Sequence, residues 1–276
     1  MISFAGGLPA SQTFPVLDAG NVPSSWLQYG PSEGEPVLRQ RIADELAALG
    51  LRCGPEQVVV LSGSQQGIDL VAKLFVDAGT PVAVETPTYL AALQVFRFFG
   101  ARFVAFDPAQ PGNLSESGTR PAFVYAIPTF QNPTGRCYTS QERIGLARTC
   151  DEAEVVLFED DPYRDLAYDD CDRKPVCAHL ERASWIYQSS FSKSLAPGLR
   201  LGFLAASPDL IVPLIRLKQA ADLHSNRVAQ WLVLQQLEHP RRHSRLSGLV
   251  TNYRTRRDAF AAQLERHMGD LATWTL

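Results

Sequence analysis

The chain alternates between short, wholly apolar runs and longer stretches in which apolar positions recur every three or four residues. The wholly apolar runs predict buried strands over residues 57–63, 81–85, 102–107, 122–128, 154–160, 184–190 and 201–206. The periodic stretches between them predict helices over 64–79, closed by Gly79, over 89–100, and over 139–150 with Thr139 or Ser140 as its N-cap. Strands alternating with helices predict an α/β fold whose mostly parallel central sheet is sandwiched by helices. From about residue 208 the pattern turns helical, with breaks near Asn226 and at His239-Pro240. A last helix, Pro240 to about Met268, is rich in arginine and reads as a solvated face. The closing Leu-Ala-Thr-Trp-Thr-Leu reads as the beginning of another element. The chain contains no internal repeat and no low-complexity segment.

Composition narrows the class of function. Of 276 residues 45% are hydrophobic and 20% charged, with a net charge of -3, so nothing marks a nucleic-acid footprint. No run approaches the roughly 18 apolar residues of a membrane span, and the N-terminus lacks the pattern of a signal peptide. The five cysteines form neither a disulfide framework nor a zinc pattern, which points to a reducing cytoplasm. Cys171 and Cys177, the one close pair, lie in a loop-like stretch that does not read as a metal site, and none is expected.

Ligands of an open parallel sheet bind outside the carboxyl ends of its strands. The chain's polar motifs fall there: Gly63 to Gly67, Glu85 to Tyr89, Pro128 to Gly135, Glu159 to Tyr163, and Ser189 to Lys193. Only four lysines are present. Lys73 and Lys218 lie on amphipathic helices and Lys174 in a polar loop, so all three read as surface charges. Lys193 follows a strand end among Ser189, Ser190 and Ser192, with no carboxylate nearby. Its neighbour Arg200 is expected to lower its pKa. An unprotonated lysine is a nucleophile that can form a Schiff base; the spacing alone leaves that reading and a plain surface charge both open.

The segment Ser-Ser-Phe-Ser-Lys-Ser-Leu-Ala-Pro-Gly-Leu-Arg-Leu-Gly-Phe, residues 189–203, closely resembles the cofactor-lysine motif of fold type I pyridoxal-phosphate aminotransferases. Within class I/II it is similar to the 2-aminoadipate, kynurenine and aromatic aminotransferase branch. Further motifs carry the resemblance in the family's order: residues 2–9, 27–43, 61–70, 85–89, 131–135 and 159–163. It implies an aminotransferase-like large domain over 29–238, an N-terminal segment over 1–28, and the start of an incomplete small domain over 239–276. It implies pyridoxal 5'-phosphate as cofactor, ping-pong transamination between an L-amino acid and a 2-oxo acid, and a homodimer with shared active sites.

The resemblance also assigns roles. Lys193 forms the Schiff base and acts as general base. Asp160 faces the ring nitrogen, chosen over Asp161 because Tyr163 follows it by three residues. Tyr163 and Asn132 bond the cofactor's phenolic oxygen, and Tyr89 stacks on the ring. Ser64, Gln65, Ser190, Ser192 and Arg200 hold the phosphate, a task suited to a strand-to-helix turn and a planar guanidinium. Tyr29 reaches the phosphate of the partner subunit's cofactor. Gly7 closes over the substrate, which Asn132 also touches. Family members continue through a segment that completes the small domain and carries the arginine for the substrate's α-carboxylate; the sequence reads as truncated before it. The alternatives are the aminotransferase-like domain of a transcriptional regulator, a catalytically impaired cofactor-binding protein, and another reaction on the same cofactor.

Overall fold

In a computed structural model of the chain, residues 7–112, 114 and 120–274 are described. Seven strands form one sheet: β1 (Val58–Leu61), β2 (Pro81–Glu85), β3 (Arg102–Phe106), β4 (Phe123–Ala126), β5 (Val156–Asp160), β6 (Trp185–Ser190) and β7 (Gly202–Ala206). They lie in the order β1-β7-β6-β5-β4-β2-β3. Strands β3, β2, β4, β5 and β6 pair in parallel; β7 runs antiparallel to both β6 and β1. The sheet is therefore parallel apart from one reversed strand. The carboxyl ends of the other six share an edge with the start of β7.

Successive side chains of a strand point to opposite faces, so each apolar run supplies two cores. On one face Val59, Leu61, Val84, Tyr125, Phe158, Ile186 and Leu204 pack against α2 (Ser64–Phe75), α3 (Leu90–Phe98) and α5 (Pro208–Asp222). On the other, Val58, Val60, Val124, Leu157, Tyr187 and Ala205 pack against α1 (Pro36–Ala48), α4 (Ser140–Ala153) and α6 (Arg227–Glu238). Helix α7 (Arg242–Met268) buries Leu249, and its arginines are not simply a solvated face: Arg242 pairs with Glu45 of α1, Arg245 donates to the carbonyl of Ser194, and Arg257 pairs with Asp169.

Several sequence expectations need adjustment. Helix α2 stops at Phe75 rather than Gly79, because Thr80 bonds back to Asp77 through both its hydroxyl and its N–H and closes a turn there. Thr139, not Ser140, caps α4, in a reciprocal box with Glu142. Helix α1 was not expected from periodicity, although Leu38, Ile42 and Leu46 are buried at every fourth position. Lys218 is not a surface charge: its side chain is 0% exposed and pairs with Asp222 one turn on, while burial lowers its pKa. Cys171 stands against Cys137 rather than Cys177, and burial, aided by that contact, raises its pKa to about 11. Of the motif at residues 2–9, residues 2–6 lie outside the described residues. Among the described residues, no helix is long and apolar enough to cross a membrane.

The loop that carries Asn132 is held from behind by Arg143, itself 0% exposed. Its guanidinium donates to the carbonyls of Pro128 (2.9 Å), Lys174 (3.0 Å) and Tyr138 (3.3 Å) and to the hydroxyl of Thr129 (3.1 Å). An apolar side chain of similar size would leave these buried acceptors without donors, each a cost of about 1–3 kcal/mol. Arg143→Leu is expected to lower the unfolding free energy by about 3 kcal/mol or more, measured by urea titration. An unchanged midpoint would show that the loop is held by other means.

Candidate active site

A cavity of about 860 Å³ opens at the carboxyl edge of the sheet. Because β7 is reversed, the connection from β6 to β7 rises and returns over this same edge. It brings Ser190, Ser192 and Lys193 after one strand, and Arg200 before the next, into one wall. The Nζ of Lys193 donates to the carbonyl of Gly7 at 3.0 Å and lies 5.8 Å from the ring centre of Tyr163. Its pKa is lowered, as the sequence led one to expect, but burial is the cause and not Arg200. The Arg200 guanidinium is exposed and turned toward Gly63, where solvent screens it.

One corner of the cavity suits an anion. Helix α2 begins at Ser64, and its first N–H groups lie outside the helix's own hydrogen bonds. Gly63 enters it with φ +87°, and a Cβ there would stand 2.5 Å from Nη2 of Arg200. Arg200 takes a left-handed conformation, φ 48°, and its guanidinium makes no hydrogen bond or ion pair among the described residues. Ser190 Oγ accepts from the N–H of Ser192 at 3.2 Å, and Tyr89 donates to Gln65 at 3.5 Å.

The floor of the cavity carries a buried acid. Asp160, at the end of β5, is 4% exposed. Its Oδ2 accepts from the hydroxyl of Tyr125 at 2.8 Å, and its Oδ1 has no partner among the described residues. Burial pushes its pKa up to about 6, opposed by the bond from Tyr125 and by the nearby amide of Gln188. Asp161 points through to the opposite face, where Arg164 (2.6 Å) and Tyr187 (2.9 Å) donate to it. Across the floor, Asn132 donates to the hydroxyl of Tyr163 at 3.4 Å.

Eleven of the twelve residues singled out in the sequence line this cavity: Gly7, Ser64, Gln65, Tyr89 and Asn132 on one side, Asp160, Tyr163, Ser190, Ser192, Lys193 and Arg200 on the other. Tyr29 is not brought here. It is 76% exposed, edge-on to His224 with ring centres 5.8 Å apart. Sequence reasoning missed Tyr125, whose one signal was a hydroxyl on a wholly buried strand, two residues before Ile127 on the same face. It also missed Phe130 and Gln131, which line the cavity beside Asn132.

The residues fit a flat, phosphorylated, cationic-nitrogen ring carrying an aldehyde. An uncommitted cation sits at a helix N-terminus, an orphaned buried carboxylate oxygen lies at the floor, and a neutralisable amine stands between. Residues 15–275 match the family model for aminotransferase class I and II. The 2-aminoadipate transaminase of Thermus thermophilus is 38% identical over 97% of this chain and 70% of its own length. Aromatic-amino-acid aminotransferase 1 of Thermococcus litoralis is 35% identical over 100% of this chain and 71% of its own. The crystal structure of the alpha-aminoadipate aminotransferase LysN from Thermus thermophilus, complexed with N-(5'-phosphopyridoxyl)-L-leucine, superposes with a TM-score of 0.85 at 36% identity, covering 95% of this chain and 70% of that one.

Burying Asp160 has a measurable consequence for the ligand-free chain. An acid whose pKa is raised by folding costs stability once pH exceeds its unfolded value, and the whole cost is present above the folded value. A rise of roughly two units corresponds to about 3 kcal/mol. Asp160→Asn, stripped of ligand, is expected to be more stable than the wild type at pH 8 by up to about that amount. The two should converge as pH falls from 6 toward 4. Parallel chemical-denaturation curves across this range would sink the assignment of a strained carboxylate.

Proposed function

We infer the chemistry of this chain from the fact that it belongs to the class I and II aminotransferases: it is a pyridoxal-phosphate-dependent transaminase. The observation that carries the residue-level reading is a single one. An amine of lowered pKa, an uncommitted guanidinium and an orphaned carboxylate oxygen line one cavity.

In this reading Arg200, the first N–H groups of α2, Ser64, Gln65, Ser190 and Ser192 hold the phosphate. Tyr89 covers the ring, Asp160 accepts from its protonated nitrogen, and Asn132 and Tyr163 bond its phenolic oxygen. Lys193 holds the aldehyde carbon. The bound cofactor supplies a ring that spreads the negative charge left when a proton leaves the substrate's Cα. Lys193, whose Nζ lines the same cavity, would be the base that takes that proton. Burial lowers the pKa of this amine, a shift in the direction that suits a base. Gly7 accepts from that same Nζ and lies at the mouth, where a closing segment would exclude water.

Further features belong to the same proposal. Residues 29–238 form the cofactor-binding large domain, with 1–28 an N-terminal segment and 239–276 the start of a small domain. The enzyme is a cytoplasmic homodimer working in amino-acid biosynthesis. Exposed Leu27 and Tyr29 support a subunit contact there, with Tyr29 reaching the partner's cofactor. The apolar wall of Leu90, Ile127 and Phe130 supports a donor with a large apolar side chain, which suits an aromatic amino acid better than 2-aminoadipate. The alternative of a regulator's domain is less supported, since a relative of that kind matches at 29% identity.

Two variants test the assignment. Lys193→Ala is expected to lose the visible absorbance of lysine-bound cofactor and at least about 10³-fold in turnover; full turnover with that absorbance retained would refute it. Arg200→Leu is expected to weaken pyridoxal phosphate by about ten- to a hundredfold, the worth of a charged hydrogen bond. Its affinity for unphosphorylated pyridoxal should stay at the wild-type value, and an equal loss for both would place the phosphate elsewhere.

A further inference from the structure

Gln188 is an unexpected residue for its place. It lies in the middle of the sheet, on β6, and is 0% exposed. Neither its amide nitrogen nor its amide oxygen has a hydrogen-bond partner among the described residues. Leaving such a group unpaired in the core destabilises the fold, a cost that leucine in the same volume would not carry. Helix α2 bears a second cost for it. Gly67, buried in that helix, has room for no side chain: a Cβ there would stand 2.1 Å from Oε1 of Gln188. A glycine inside a helix is less stable there than alanine would be. Two neighbouring positions thus each sacrifice stability to keep an amide under α2.

The register shows what that amide faces. Gln188 is the cross-strand partner of Asp160 in the parallel pair β5–β6, so both side chains leave the sheet on the same face. The acid there has a spare acceptor, Oδ1. We propose that Gln188 is a positioning residue for the cofactor's acid: its amide N–H donates to the Asp160 carboxylate and, with Tyr125, holds it ionised and aimed into the cavity. In the present geometry the amide already favours the charged carboxylate, short of a closed hydrogen bond. Other groups facing Asp160 do not do this. Tyr89 and Tyr163 stand across the cavity, and Asp161, next along β5, opposes its ionisation. Helix α2 contributes Gly67, which has no charge to offer. The proposal rests on Asp160 being the partner of the ring nitrogen.

The test uses the full chain with and without added pyridoxal phosphate. The titration of Asp160 is followed by carbon NMR of aspartate-labelled protein, its signal assigned by its loss in Asp160→Asn. Gln188→Leu and the isosteric Gln188→Glu are both expected to move the midpoint upward by about half a unit or more, a threefold change in the ionisation equilibrium. Glu should move it further, because it adds a like charge and removes the donor. Both are expected to weaken pyridoxal phosphate binding about three- to tenfold at neutral pH, read by fluorescence quenching, with no such difference in an Asp160→Asn background. A midpoint unmoved in a folded Gln188→Glu variant overturns the contact, as a purely structural role for the amide would leave it. A midpoint that moves while Asp160→Asn binds the cofactor as tightly as wild type overturns Asp160 as the ring's partner, and the positioning role with it.

Discussion

The burial of one carboxylate at the carboxyl edge of the sheet is the constraint about which this protein is arranged. A charged oxygen withdrawn from water is costly unless a donor or cation meets it. Asp160 is met on one oxygen by Tyr125 and left without a partner on the other. The fold thereby keeps a group that is worth more with a cationic ring beside it than without one. The same logic governs the amine opposite. Lys193 is half-buried, bonded to a neutral carbonyl rather than to a carboxylate, and burial lowers its pKa.

These two groups meet because of topology. Six strands deliver their carboxyl ends to one edge, and the reversal of β7 makes the chain enter and leave that edge between Ser190 and Gly202. A parallel crossover at this place would have carried the chain to the far edge of the sheet before the next strand could begin. The hairpin-like return instead stacks an amine and a guanidinium, seven residues apart, on the start of α2. Close approach there is secured by small residues. A side chain on Gly63 would collide with Arg200, and one on Gly202 would stand 2.9 Å from the N–H of Ser64.

Support behind the cavity is polar and heavily satisfied, in contrast to the open groups in front. Arg143 knits the Asn132 loop to the segment before Pro175, and Asp161 is paired through its Oδ2 with Arg164 and Tyr187. Adjacent acids on one strand therefore have opposite fates. The acid turned away from the cavity is locked into an ion pair, and the one turned toward it is kept available. Alternation along a strand is enough to separate them.

Much of this was legible in the chain itself. Apolar runs marked all seven strands, Thr139 and Glu142 marked a helix start, and the polar motifs fell where strands end, so Lys193 stood apart from the other lysines before any coordinates were considered. Those features are local: they follow from which neighbours along the chain are apolar, small or able to cap. What the chain alone did not disclose depends on partners distant in sequence. Tyr125 and Gln188 belong to Asp160 only through strand order and register. Lys218 is buried only because α5 packs against α2, and the pKa of Lys193 is lowered by burial rather than by Arg200. A periodic pattern tells which face of a segment is hidden. It does not tell which polar group waits on the other side, because that is set by how the strands are laid beside one another.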